Sequence, residues 1–188
     1  MAEKQSASQT AGPYVHVGCV PTFAGLEMGR PDLGAVMLSD AVAGERITFE
    51  GRVIDGDGAP VTDVMLELWQ ADAAGRFDNP DFQGWGRAPG DATDASFRFE
   101  TIKPGQVAWP SGGLQAPHLA LWIVARGINL GLHTRVYFSD EQEANDRDPV
   151  LSRVPAERRS TMIAVANGTR YQLDVHLQGD REMVFLDV

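Results

Sequence analysis

Eight short segments of the chain carry strand composition, and turn-forming residues separate most of them, which limits the fold to a β-sandwich or barrel. Arg46 to Ile54 and Ser96 to Ile102 alternate apolar and polar side chains, and Asp55-Gly56-Asp57-Gly58 and Lys103-Pro104-Gly105 close them. Val64 to Gln70, His118 to Arg126, His133 to Phe138, Thr161 to Ala166, Tyr171 to Gln178 and Met183 to Val188 complete the set. The expectation is an all-β domain of two packed sheets. At 188 residues the chain fits one domain that buries roughly 70% of its unfolded surface. Residues 1–9, polar and without periodicity, read as a flexible arm, and residues 10–188 as the domain. From Thr10 to Gly44 repeated Gly and Pro predict an irregular extended segment laid over the rest. Asp140 to Arg153 is the one predicted helix, with Ser139 or Asp140 as its N-cap. Residues 70–95 form a connection long enough to cover a site or an interface.

Charge narrows the partners. With 26 acidic against 16 basic residues the chain carries a formal charge of -10, which repels a phosphate backbone and argues against nucleic acid. A local Arg in a cleft could still bind a small anion. One cysteine, Cys19, allows neither an internal disulfide nor a thiolate zinc set, and reads as a small buried hydrophobe. The longest apolar run, Leu119 to Ala125, is far short of the roughly 20 residues of a spanning helix, and MAEKQSASQT lacks an apolar signal region. The expectation is a cytoplasmic protein that avoids membranes.

Neither a Gly-x-Ser-x-Gly elbow nor a glycine loop between strand and helix occurs, so serine hydrolase and phosphate-cradle chemistry fall away. The histidines His16, His118, His133 and His176 lie on or beside predicted strands. Residues two apart on a strand share a face, yet His118-Leu119-Ala120 offers one imidazole where a His-x-His pair would offer two. His133 and Tyr137 could share a face, with His176 approaching from another strand. The simpler reading has each histidine packing or hydrogen-bonding at a sheet edge. Trp69, Trp85, Trp109 and Trp122 read as core or interface anchors. Arg126 ends an apolar strand just before Gly127-Ile128-Asn129, a place from which one guanidinium can meet a carboxylate as a fork or close an internal ion pair.

Several blocks, taken in order, resemble the intradiol ring-cleavage dioxygenases. They are Ser8-Gln9-Thr10-Ala11-Gly12-Pro13-Tyr14, Leu66-Glu67-Leu68-Trp69-Gln70-Ala71-Asp72, Thr101-Ile102-Lys103-Pro104-Gly105, and Ala116-Pro117-His118 through Ala125-Arg126-Gly127-Ile128-Asn129 to His133-Thr134-Arg135-Val136-Tyr137-Phe138. The resemblance implies a mixed two-sheet β-sandwich with long loops and one short helix. It also implies Fe(III) held by two tyrosinates and two histidines, and insertion of O2 between two adjacent hydroxyl-bearing ring carbons. This chain departs at three of the four ligands: Phe77 and Val107 stand where the family has its tyrosines, and Ala120 where it has the second histidine, with only His118 kept. One imidazole cannot hold a hard ferric ion against water. In family members built from two kinds of chain, this pattern is that of the alpha chain, which binds no metal and completes a site on the iron-bearing beta chain. The resemblance then implies protocatechuate and O2 as substrates, 3-carboxy-cis,cis-muconate as product and a higher-order alpha-beta oligomer. No catalytic residue is expected on this chain. Thr10, Gly12, Pro13, Tyr14 and Arg126 match the alpha contribution to substrate binding, with Arg126 facing the ring carboxylate. The competing readings are a stand-alone transthyretin-like sandwich that binds aromatic ligands or partners, and a metalloenzyme using His133, Tyr137 and His176.

Overall fold

The computed structural model describes residues 4, 6–12 and 14–187; Met1 to Glu3 and Gln5 of the expected arm, together with Pro13 and Val188, lie outside them. Eleven strands are present among these residues: β1 (Arg46–Ile54), β2 (Met65–Trp69), β3 (Trp85–Pro89), β4 (Ser96–Ile102), β5 (Val107–Ala108), β6 (Leu114–Gln115), β7 (His118–Val124), β8 (Leu132–Phe138), β9 (Ile163–Asn167), β10 (Arg170–Gln172) and β11 (Val175–His176). Seven of the eight expected segments appear among them. In the eighth, Leu186 forms an isolated bridge to His133, and the described residues there make no strand.

The two sheets of the expected sandwich are not separate. The ladder runs β4-β1-β10-β9-β8-β7-β2-β3, and β9 pairs with β10 on one side and β8 on the other. A shared strand joins the two layers into one nearly closed sheet, which removes two free edges. The mixed character holds: β1 is parallel to β10 and β11, β8 is parallel to β9, and the other pairs are antiparallel. The β10 and β11 segments keep the same register on β1, with Thr48 opposite Arg170 and Val53 opposite Val175. The break between them has a local cause. The Asp174 carboxylate, not a backbone carbonyl, accepts the Arg52 N–H (3.0 Å), and Gly51 leaves room for the Leu173 carbonyl, which a Cβ would strike at 1.9 Å.

Alternation on the strands places one face inside. Phe49 on β1, Phe97 and Phe99 on β4, Leu66 and Leu68 on β2, and Leu121 and Ile123 on β7 are buried in a single core. Each such side chain contributes about 1.5–3 kcal/mol through removal from water. The Phe49 ring lies 5.3 Å from Phe97 and 6.5 Å from Phe99. A second cluster of Tyr137, Ala144, Leu151, Val154 and Met162 packs outside β8.

The expected helix from Asp140 to Arg153 is reduced to α-helix over Gln142–Asn145 and a 3-10 turn over Leu151–Arg153. Pro149 explains the break, since it has no N–H to donate and disfavours helical backbone at Asp148. A seven-residue 3-10 stretch follows at Ala156–Met162, and an α-helix that the sequence hid covers Tyr14–Cys19. The long connection 70–95 contains β3, whose Trp-Gly-Arg-Ala-Pro sequence masks a strand. Its Gly86 leaves room for the Met37 side chain, crossing from the 34–38 segment, which would have to shift for a Cβ there.

Candidate functional site

Thr10, His16 and Cys19 are fastened to three neighbouring strands, just past β7, just before β2 and at the middle of β3. Thr10 Oγ1 accepts from the Gly127 N–H (2.6 Å) and donates to the Ala125 carbonyl (3.3 Å), just past β7. The His16 ring donates from Nε2 to the Val64 carbonyl (3.4 Å), just before β2. The Cys19 carbonyl accepts from Arg87 Nη1 (3.1 Å) on β3, and Arg87 Nε in turn donates to Glu67 Oε1 (2.9 Å). Tyr14 starts the short helix between the first two anchors and is 82% exposed. Gly12 is exposed and a Cβ there would touch nothing in this chain, so space within the chain does not require a glycine.

Arg126 stands in the Ala125 to Ile128 turn, closed by the Ile128 N–H on the Ala125 carbonyl (3.2 Å). Met65 pairs with Val124 at the end of the β2–β7 ladder, and continuing that register by two residues sets Asp63 opposite Arg126. Arg126 Nε donates to Asp63 Oδ2 at 3.1 Å. The Arg126 side chain is nonetheless 72% exposed, at the rim of a groove of about 660 Å³ lined by Asp55, Asp63, Ile128, Leu132 and Phe185. Of the five residues expected to contact substrate, the structure thus joins Thr10 to the Arg126 turn and places Gly12 and Tyr14 on the adjoining segment. Pro13 lies outside the described residues.

Of the residues expected at a degenerate metal site, His118 and Ala120 share one sheet face, Phe77 stands on a loop, and Val107 lies on β5 in the separate two-stranded sheet with β6. Trp69, Ala120 and Arg135 are successive partners across β2, β7 and β8, and His118 lies opposite Tyr137. Phe77 stacks on Trp69 with centroids 6.4 Å apart and planes 6° from parallel. The loop carrying Phe77 hangs on the buried Asp72 carboxylate, which accepts from the Ala74 and Arg76 N–H groups and Asn79 Nδ2, each at 2.9 Å. Burial alone would raise the Asp72 pKa, but these hydrogen bonds hold it below the usual carboxylate range.

His118 donates from Nδ1 to the Ala116 carbonyl (2.8 Å), and burial, aided by the charge of Arg135, pushes its pKa down to about 4. Arg135 Nη1 donates to Gln115 Oε1 (2.8 Å). Tyr137, fully buried, donates to Asp148 Oδ1 (2.9 Å), and burial followed by that carboxylate's charge raises its pKa far above the ordinary phenol value. This set does not fit Fe(III). Phe77, Val107 and Ala120 provide no donor, Tyr137 is held as a phenol, and Arg135 brings a positive charge to the face.

Nor do His133, Tyr137 and His176 assemble. His133 is exposed, Tyr137 is committed to Asp148, and His176 lies on β11, with β9 between its extended strand and β8. Among the described residues no group of three or more His, Cys, Asp or Glu side chains could hold a metal ion. Cys19 is half-buried, less enclosed than a core thiol. Sequence reading missed Asp63, Gln115, Arg135 and Asp148 as parts of these sites. The β2–β7 register held the signal for Asp63, but only once the strands are paired.

Residues 21–179 match the profile of a family described as "Dioxygenase", and the chain belongs to the intradiol ring-cleavage dioxygenases, although the face around His118 lacks, among the described residues, the donors for iron. Within it the chain is 41% identical to the protocatechuate 3,4-dioxygenase alpha chain of Burkholderia cepacia, over 98% of each chain. To the beta chain of the same enzyme it is 32% identical, over 72% of this chain and 60% of that one. The dioxygenase domain of a carbohydrate-binding fusion protein from Streptomyces sp. SirexAA-E shares the fold at a TM-score of 0.60, with 23% identity over 96% of this chain and 100% of that one. The likeness is therefore greater to the alpha chain than to the beta chain.

Proposed function

We propose that this chain is the alpha subunit of a protocatechuate 3,4-dioxygenase, which completes the active site on a homologous beta chain for cleavage of protocatechuate by O2 to 3-carboxy-cis,cis-muconate. The Fe(III) of that site belongs to the beta chain. The observation that carries the reading is the Thr10 hydroxyl clasping the turn on both sides of Arg126, which unites the two parts of the sequence expected at the shared site. Arg126 binds the ring carboxylate and holds the diol in register for the iron, while Gly12, Pro13 and Tyr14 form a wall beside it. The exposed apolar side chains of Tyr14, Met28, Leu33 and Val36 on the segment before β1 give a partner chain a surface to cover. Alpha and beta chains build a higher-order oligomer, and the enzyme works in the cytoplasm. Among the described residues no helix is long and apolar enough to cross a membrane. The stand-alone binding sandwich has no support in the comparisons, since the chain's relatives are enzyme subunits.

The test is co-expression with an iron-bearing beta chain. The expected product is an iron-containing complex that consumes protocatechuate, in which Arg126→Ala leaves assembly and iron content intact. Loss of a charge-assisted contact costs about 1.5–3 kcal/mol, so kcat/KM for protocatechuate should fall roughly ten- to more than a hundredfold. Catechol, which lacks the carboxylate, should be nearly indifferent. Equal losses for the two substrates would remove Arg126 from the site.

A further inference from the structure

An arginine at a strand end is a long, mobile side chain, and a fork contact needs its planar head held in one orientation. Two restraints act on Arg126. The main chain is fixed by Thr10, which engages the residues immediately before and after it. The head is fixed by Asp63, whose Oδ2 takes the Nε–H at 3.1 Å. That bond occupies one lateral position of the guanidinium. Among the described residues no acceptor is paired with Nη1 or Nη2, so the end-on edge with its two parallel N–H groups remains open to a carboxylate.

Asp63 is itself held in the turn before β2, where the Val64 N–H bonds the Val61 carbonyl (3.2 Å), and its side chain is 33% exposed against 72% for Arg126. The less exposed partner, on the shorter side chain, is the natural anchor of the pair. From this geometry we infer that Asp63 is a positioning residue that presents the end-on edge of Arg126 to the substrate's carboxylate. The inference rests on the role given to Arg126 above.

A carboxylate beside a guanidinium could instead compete with the substrate for it, and the two roles have opposite consequences. The assembled alpha–beta enzyme is compared with its Asp63→Ala, Asp63→Asn, Arg126→Ala and Arg126→Ala/Asp63→Ala forms, using steady-state kinetics on protocatechuate and catechol. Positioning by a part-exposed pair predicts a modest effect. Asp63→Ala should raise KM for protocatechuate about three- to tenfold with kcat nearly unchanged, and leave catechol alone. Asp63→Asn should recover most of the loss, because its amide oxygen still accepts the Nε–H. In the Arg126→Ala background Asp63→Ala should add nothing. A lower KM in both Asp63 variants would make Asp63 a competitor and overturn the inference. So would equal effects on both substrates, or an unchanged KM in Asp63→Ala while Arg126→Ala keeps its effect. A silent Arg126→Ala would instead bring down the role of Arg126, and positioning by Asp63 with it.

Discussion

Asp148→Ala should destabilise the protein by about 4 kcal/mol, the largest loss expected from any single side chain outside the main core. The Asp148 side chain is wholly buried and serves four donors. Oδ1 accepts from Tyr137 Oη (2.9 Å), the Val150 N–H (2.9 Å) and the Leu151 N–H (2.7 Å), and Oδ2 accepts from the Ala116 N–H (2.8 Å). Those bonds tie the segment before β7, the end of β8 and the turn after Pro149 to a single carboxylate. Truncation leaves the donors facing a cavity, and each buried donor without a partner costs about 1–3 kcal/mol before relaxation. Water entering the space would recover part of that sum. Tyr137→Phe removes one donor and leaves three on the carboxylate, so it should cost only about 1 kcal/mol. Thermal unfolding at matched protein concentration should show a fall of roughly 8–16 °C for Asp148→Ala, from about 2–4 °C per kcal/mol at this size. A variant within 1 kcal/mol of the parent would mean that the four bonds are dispensable.

The strands were legible because their alternation is a local property that a buried face demands. What escaped the sequence was set by distant contacts or by covalent exceptions. β3 is hidden because Gly86 accommodates Met37 and Pro89 ends the strand, both poor strand signals on their own. The helix predicted from Asp140 stops short because Pro149 restricts the residue before it, and that restriction outweighs the good helix formers around it. That β9 belongs to both layers follows from pairing, which composition does not report.

The site shows the same division. The missing ligands at Phe77, Val107 and Ala120 can be read directly, since a side chain without a donor atom has none in any fold. What replaces a metal cannot. Arg135 shares its face with Ala120 only through the β7–β8 register, and Thr10 reaches Ala125 across a separation of 115 residues. Arg126 was legible from its block, but its partner Asp63 required the paired strands. Side-chain chemistry was visible one residue at a time, whereas arrangement needed the ladder.

His118 should make the fold sensitive to mild acid, in a window that its neighbours define. Its pKa lies near 4 in the folded protein against an ordinary value of about 6.5, because burial and then the Arg135 guanidinium disfavour the imidazolium, with Asp148 opposing only in part. Between those values the unfolded chain binds a proton that the folded chain refuses. Stability therefore falls as pH drops through 6.5 and continues to fall until about 4, where the folded state takes up the proton too. At about 1.4 kcal/mol per pH unit the total loss approaches roughly 3 kcal/mol. Above pH 6.5 the group is neutral in both states and contributes no slope. Carboxylates held below their usual range, Asp72 and Asp140 among them, give a slope of the same sign, because the unfolded chain again takes up the proton first. Their stabilisation is lost as pH falls from the ordinary carboxylate value of about 4 towards their lower folded-state values, below the histidine window. His176, also lowered by burial, adds a slope of the same sign as His118 and remains in any His118 variant. The quantity to measure is thus the difference in unfolding free energy between the parent and His118→Gln at several pH values from 7.5 to 4, by urea titration. The parent should lose stability faster than the variant between pH 6.5 and 4, and the two curves should run parallel above pH 6.5. Parallel curves across the whole range would mean that the folded protein accepts a proton on His118 as readily as the unfolded chain does. In that case neither burial nor Arg135 would govern this face, and the account of Arg135 as the cation that makes a metal unwelcome beside His118 would fall with it.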